Sequence, residues 1–406
     1  MNPLVVLGFV AIVAAGSLAS PTHQQHSQQQ QMKPSQWLKP SELESTPSLD
    51  ELSFEDLEKM PLEKGAKLMR KIYHLSQIDY SVSPNFVPSP SNVPVYIFNG
   101  KGEKETCNLN NYVDIAKNKP TFGEQEVSVF ITGLPQSLDD VKKANTRLIQ
   151  AYIQRYSQKP QPPKDEDESK WQNEKPVGGH LVVIDLGSTI TNMERYASLN
   201  VKETGKMIGK TFAELMDECD VDVEDVHVVA QGIAANVAGS AAKAFKDITS
   251  HKLDRITALD PARQVAKDPK ALSGLARGSA NFVDAIHTSA LGMGTTRRVG
   301  DVDFFPHGPC EGVPGSRNVI DAQARATRFY AETVRPGNSR NFPALEASSL
   351  KQYRSKEGYG RRAYMGIAAR RDTTGDYILE VNEQSPFGKR STPQQKSVKS
   401  FNEQSY

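Results

Sequence analysis

The chain has 406 residues, of which 24% are charged, and those charges nearly cancel to a formal net charge of +1. That length can bury one main core of about 250 to 300 residues with tails and inserts to spare. So balanced a charge creates no field that would draw nucleic acid or an anionic membrane, and neither is expected as a partner.

Leu4 to Ala15 is an uninterrupted apolar run, followed by Ser17-Leu18-Ala19 with small residues at the two positions a signal peptidase reads. The run is too short to anchor across a hydrocarbon layer of about 30 Å. Residues 1–19 are therefore expected to be a removed secretory signal. No later stretch reaches spanning length, so the mature chain is expected outside the cell. Cys107, Cys219 and Cys310 are scattered without metal-ligand or redox-pair spacing. They allow at most one internal disulfide, or else serve as small buried hydrophobes, and the pairing stays open. No metal or cofactor is expected, and no Asn-x-Ser/Thr acceptor for N-linked glycan is present.

Residues 20–47 form a Gln/Ser-rich segment that cannot bury enough apolar surface to offset the entropy of ordering, and disorder is expected. His23 and His26 fall in it and read as a solvated tract rather than a metal site. Residues 48–80 read as a helical extension. Ser48-Leu49-Asp50-Glu51 resembles a capping box, Leu52, Leu57, Leu68, Met69 and Ile72 recur at helical spacing, and Pro61 should split the stretch in two.

The main domain is expected over 81–385. Short β-branched runs at Val95–Phe98, Val127–Ile131, Leu181–Ile184, Val226–Ala230 and Arg255–Leu259 alternate with helical patterns at Leu138–Tyr156, Val201–Cys219 and Ala234–Lys246. Such alternation predicts an α/β fold with a mostly parallel sheet flanked by helices. A polar insert at 157–178, carrying Pro160, Pro162 and Pro163 and the acidic run Asp165 to Glu168, reads as a surface loop. Ala363–Ile367 and Tyr377–Val381 look like strands, and residues 386–406 like a polar, frayed tail.

One segment carries the shape of a catalytic motif. A strand through His227-Val228-Val229 runs into Ala230-Gln231-Gly232-Ile233-Ala234 and then an Ala-rich helix. This is the strand-turn-helix of the Gly-x-Ser-x-Gly nucleophile elbow. Here the chain resembles the neutral-lipase family of pancreatic and lipoprotein lipases, and the resemblance puts Gly232 at the serine position. Ile256-Thr257-Ala258-Leu259-Asp260-Pro261-Ala262 is similar to the family's Leu-Asp-Pro-Ala segment, which makes Asp260 the acid. Where the family carries its catalytic His, this chain has Gln323 in Asp321-Ala322-Gln323-Ala324-Arg325.

Glycine offers no oxygen to attack an ester, and a Gln amide does not titrate as a general base. Its NH₂ is expected to give the leftover Asp260 a hydrogen bond. Gly133 and Leu134 occupy the family's oxyanion segment, in Thr132-Gly133-Leu134 where lipases have His-Gly-Phe or His-Gly-Trp. The lid shrinks to His307–Ser316, and His287 reads as structural rather than as the base. The resemblance thus implies a lipase-like α/β-hydrolase fold without its triad.

Silent secreted relatives of these lipases are the yolk proteins, or small vitellogenins, of higher flies. The chain looks like that branch over about residues 40 to 390, on the Gln-Gly-Ile-Ala-Ala elbow, the Leu-Asp-Pro-Ala segment and the Gln-rich lead. That resemblance implies a nutrient reservoir secreted into haemolymph, taken up through an oocyte endocytic receptor, associated with other yolk protein chains and stored in yolk granules. Two alternatives remain at this point. One is a carrier of a small apolar ligand such as a lipid or steroid conjugate. The other is an esterase using Ser137, Ser240 or Ser289, none of which has an elbow context. Arg361, Arg362, Arg370 and Arg371 read as a solvated face rather than a receptor-binding patch.

Overall fold

The structure, a computed structural model, describes residues 47–79, 82–119, 121–158, 178–265, 274–290, 292–355 and 360–389. The expected signal sequence, the expected Gln/Ser segment up to residue 46 with its two histidines, nearly all of the expected polar insert and residues 390–406 lie outside the described residues.

In chain order come helices α1 (Phe54–Lys59) and α2 (Leu62–Asp79), strands β1 (Pro94–Asn99) and β2 (Lys104–Asn108), helix α3 (Tyr112–Lys117), strand β3 (Val127–Ile131) and helix α4 (Asp139–Ser157). Strand β4 (His180–Ile184), helices α5 (Met193–Ser198) and α6 (Val201–Cys219), strand β5 (Val226–Gln231) and helix α7 (Ile233–Thr249) follow. The chain continues through β6 (Arg255–Leu259), β7 (Phe282–Ile286), β8 (Val302–Pro306), α8 (Val319–Val334), β9 (Pro343–Glu346), α9 (Leu350–Ser355), β10 (Arg362–Tyr364) and β11 (Gly375–Leu379).

All eleven strands join one sheet in the order β10-β9-β11-β8-β7-β6-β5-β3-β4-β1-β2. From β4 to β11 the neighbours run parallel, with antiparallel hairpin β1-β2 at one end and β9-β10 at the other. Parallel strands need helical crossovers, so both faces of the sheet are covered and the central strands β3 to β8 are buried along their whole length. Alternate residues divide between two cores. Val129, Val228 and Ile256 meet Ile208 of α6 and Val237 of α7, whereas Phe130, Val229 and Phe304 meet Tyr152 of α4 and Phe329 of α8. This is the α/β-hydrolase architecture. Helices α6 and α7 pack closely because a Cβ on Gly205 would lie 2.3 Å from the Cβ of Ser240.

Several elements differ from the sequence expectation. The N-terminal helix starts after Ser53, whose side chain forms the capping box with Asp56, while the Ser48 carbonyl accepts a turn bond from Glu51. Pro61 does separate α1 from α2. The strand expected at Ala363–Ile367 stops at Tyr364, because Gly366 turns the chain with φ 95. The carbonyls of Gly366 and Ile367 accept from Arg255, which also grips Asp284 through two bonds of 2.9 and 3.1 Å. The strand expected at Tyr377–Val381 runs Gly375–Leu379 instead.

The first residues of the expected tail are packed against the domain. Phe387 is buried, and the N–H groups of Phe387 and Gly388 donate to Glu332 of α8. No disulfide joins the three cysteines: Cys107 is buried, Cys219 half-buried and Cys310 exposed. Among the described residues no helix is long and apolar enough to cross a membrane.

His227 of β5 is buried with Nε2 2.8 Å from the hydroxyl of Thr257. Burial, and then the charges of Arg255, Arg155 and Arg371, hold its pKa well below 6.5. The unfolded chain therefore takes up a proton that the folded chain refuses, and this contribution to stability is present above that pH and lost as the pH falls below it. Thermal unfolding of His227→Gln should accordingly be less sensitive than the natural protein to acidification from about pH 6.5 to 5. Parallel profiles for the two proteins would show that His227 carries no such linkage.

Candidate functional site: a silent nucleophile elbow

Strand β5 passes into α7 through a single residue, Gly232, with φ 59 and ψ -122. Side chains reach that region only under strain of about 1 to 3 kcal/mol, whereas glycine occupies it freely. Its N–H donates to the carbonyl of Leu259 at the end of β6 (2.9 Å), and its carbonyl accepts from Ala235 and Ala262. The elbow is thereby tied to the segment that carries Asp260. No side chain caps the start of α7.

Gln323 lies in the first half of α8, fully buried, with its amide facing the elbow. A Cβ placed on Gly232 would stand 2.8 Å from its Nε2 and 3.1 Å from its Cδ. The amide thus fills the space a residue at 232 would use for its side chain. Helix α8 is held to α4 by Arg328, which bonds both Asp321 and Asp140.

Asp260 follows β6 with φ 51 and is completely buried. Its Oδ1 accepts from the N–H groups of Thr288 (2.7 Å) and Ser289 (2.8 Å), and its Oδ2 from the Ser289 hydroxyl. Burial raises its pKa, and these three bonds oppose the rise. The expected Gln323–Asp260 hydrogen bond is absent: both amide atoms of Gln323 are buried without a partner, and Ser289 takes the place foreseen for the amide. Sequence reading gave no signal for this role of Ser289, because the contact bridges 29 positions.

A second residue escaped the sequence reading. The hydroxyl of Tyr196, on α5, is buried beside the Gln323 amide, and burial together with the charge of Asp260 pushes its pKa up while the neighbouring amide opposes the rise.

Gly133 and Leu134 follow β3 and close the other side of the elbow. A Cβ on Gly133 would lie 2.1 Å from the carbonyl of Gln231, and one on Gly187 would lie 2.0 Å from that of Leu134. Three peptide segments therefore stack with no side chain between them. Thr132 fixes the stack by donating to Asp185 (2.7 Å) and accepting from the Gly187 N–H (2.9 Å).

His287 is committed elsewhere, with Nδ1 2.8 Å from the Thr295 carbonyl and Nε2 2.8 Å from Asp303. Burial pulls its pKa down, but the bond to Asp303 and that residue's charge outweigh it and leave a net rise. The short stretch at the lid position is pinned by Arg325, which donates to the Gly315 carbonyl. Among the described residues no group of three or more His, Cys, Asp or Glu could hold a metal.

The crowding at the elbow yields a stability test. Gly232→Ala should destabilise the protein by about 1 to 3 kcal/mol through its backbone strain, with an added term from the contact with Gln323. In a Gln323→Ala background that added term should vanish, so the two changes should couple by at least about 0.5 kcal/mol in chemical denaturation. Strict additivity would show that the amide and position 232 do not share space.

The lipase family model matches residues 116–387. Vitellogenin-3 of Drosophila melanogaster is 52% identical over 378 residues, covering 89% of this chain and 90% of that protein. Vitellogenin-1 of Ceratitis capitata is 49% identical over 418 residues, covering 98% and 95%. More distantly, inactive pancreatic lipase-related protein 1 of Homo sapiens is 28% identical over 184 residues, covering 39% and 38%. With the α/β-hydrolase sheet, the glycine elbow and near full-length similarity to fly proteins of that name, the chain belongs to the lipase family, in the branch of the dipteran vitellogenins.

Proposed function

We propose that this protein is a secreted yolk storage protein, a nutrient reservoir built on a lipase scaffold that performs no catalysis. The observation that carries the storage reading is the near full-length similarity to vitellogenins. What supports silence is the elbow itself, which offers no oxygen nucleophile at Gly232, while Gln323 gives an amide in place of a proton-accepting imidazole. Gly232, Asp260 and Gln323 are on this reading the three positions of a lost triad, and Gly133 and Leu134 the remnant of its oxyanion segment.

The alternative serines do not make a replacement. Ser289 is spent on Asp260. Ser240 is buried inside α7 with its hydroxyl unpartnered, and Ser137 is exposed in a turn. Among the described residues none of the three has a histidine within hydrogen-bond reach to activate it.

In this account the chain circulates in haemolymph, enters oocytes through an endocytic receptor, and is held in yolk granules with other yolk protein chains until embryos digest it. A second reading, carriage of a small apolar ligand, is favoured by one observation. Both amide atoms of Gln323 are buried beside the elbow without a protein partner, and a ligand's polar end would satisfy them. Native mass spectrometry of the purified protein would show such a ligand as a stoichiometric mass increment.

Labelled protein offered to vitellogenic oocytes should accumulate in yolk granules, and excess unlabelled protein should compete it away. Uptake no greater than that of an unrelated protein of similar size would rule the storage reading out.

A further inference from the structure

The helices before the catalytic-type domain do more than precede it: we propose that α1 and α2 form a tethered plug that closes the apolar groove above the Gly232 elbow. Their contacts reach each element bordering that elbow. Phe54 packs edge-on against Tyr196, with ring centroids 5.9 Å apart, and the Tyr196 hydroxyl points at Gln323. Glu58 accepts from the N–H of Asp140 (3.0 Å) in the first turn of α4, just beyond the Gly133-Leu134 segment. The N–H of Leu62 donates to the Arg317 carbonyl (3.0 Å) at the entry to α8. A Cβ on Gly65 would lie 3.1 Å from Cγ1 of Val319, which shares a face of α8 with Gln323 one turn on. Tyr73 lies beneath Arg263, 5.4 Å from ring centroid to guanidinium carbon, three residues past Asp260.

The apolar side of the pair completes the case. Phe54 and Leu57 are fully buried, Met69 and Ile72 nearly so, and all four belong to one cluster with Leu134 and Ile233, the residues whose peptides flank the elbow. Without the helices that floor would be a contiguous exposed apolar patch beside polar groups, which is the composition of a ligand groove. The occupant is part of the same chain, so its effective concentration is that of a linked segment, in the millimolar range or above, and any free acyl chain must displace it. The plug stands apart from the storage reading, since it concerns access to the groove and not the fate of the protein.

The test uses the full-length protein and one probe, the C18 fatty acid cis-parinaric acid, followed by its fluorescence. Gly65→Cys with Val319→Cys forms a reversible lock. The 3.1 Å between the added Cβ and the Val319 Cγ1 position matches the spacing of about 3 Å between one Cβ and the opposite sulfur of a disulfide. Leu57→Asp with Met69→Asp unseats the helices.

The oxidised lock should bind the probe at least about tenfold more weakly than the same protein reduced, and the unseated variant at least about tenfold more tightly than the natural protein. Equal binding by the oxidised and reduced forms, including no binding by either, would overturn the proposal. So would an unseated variant that keeps its circular dichroism yet takes up no more probe than the natural protein. Should that variant fail to fold, the lock alone decides.

Discussion

Much of this molecule follows from one constraint, the requirement that the backbone reverse from β5 into α7 at a single residue with φ 59 and ψ -122. A turn so tight brings Gly133 and Gly187 into backbone contact around it and leaves no room for side chains between the stacked peptides. The Gly232 carbonyl then receives Ala262, which binds the elbow to the Asp260 segment. With glycine at its centre the turn loses the strain that a serine would store there, and Gln323 moves into the vacated volume. The glycine turn and the buried amide are thus one packing solution.

The electrostatics follow the same division. Buried charges that hold the fold together are fully paired, as in Arg255 with Asp284 and Arg328 with Asp140 and Asp321. Asp260 is bound by the Ser289 hydroxyl and two backbone N–H groups, so its burial is compensated locally. Around the elbow the balance is different: both amide atoms of Gln323 are buried without a partner, and the Tyr196 ring beside them packs against Phe54 of the helical pair.

The interior of the sheet was legible because parallel strands covered on both faces read as unbroken β-branched runs, as in β3, β4 and β6. Strands β7 and β8 lacked that signal, since Asp284 and Asp303 stand in their middles and are tolerated only through distant partners, Arg255 and His287. Helix α8 hid itself in the same way: Asp321, Arg325, Arg328 and Glu332 suggest a solvated face, yet all are buried by ion pairs and backbone contacts. At the site, the family motifs drew attention to Gly232, Asp260 and Gln323, and the structure places the Gln323 amide against Gly232. Tyr196 and Ser289 could not be found that way, because their roles arise from contacts that folding alone creates.

The most direct test of the account is the rate at which the purified natural protein hydrolyses short- and long-chain acyl esters. Silence at the elbow predicts no turnover above the uncatalysed background at any chain length. Turnover that exceeds background and persists through repurification would contradict it, and would require an oxygen nucleophile other than any residue of this elbow.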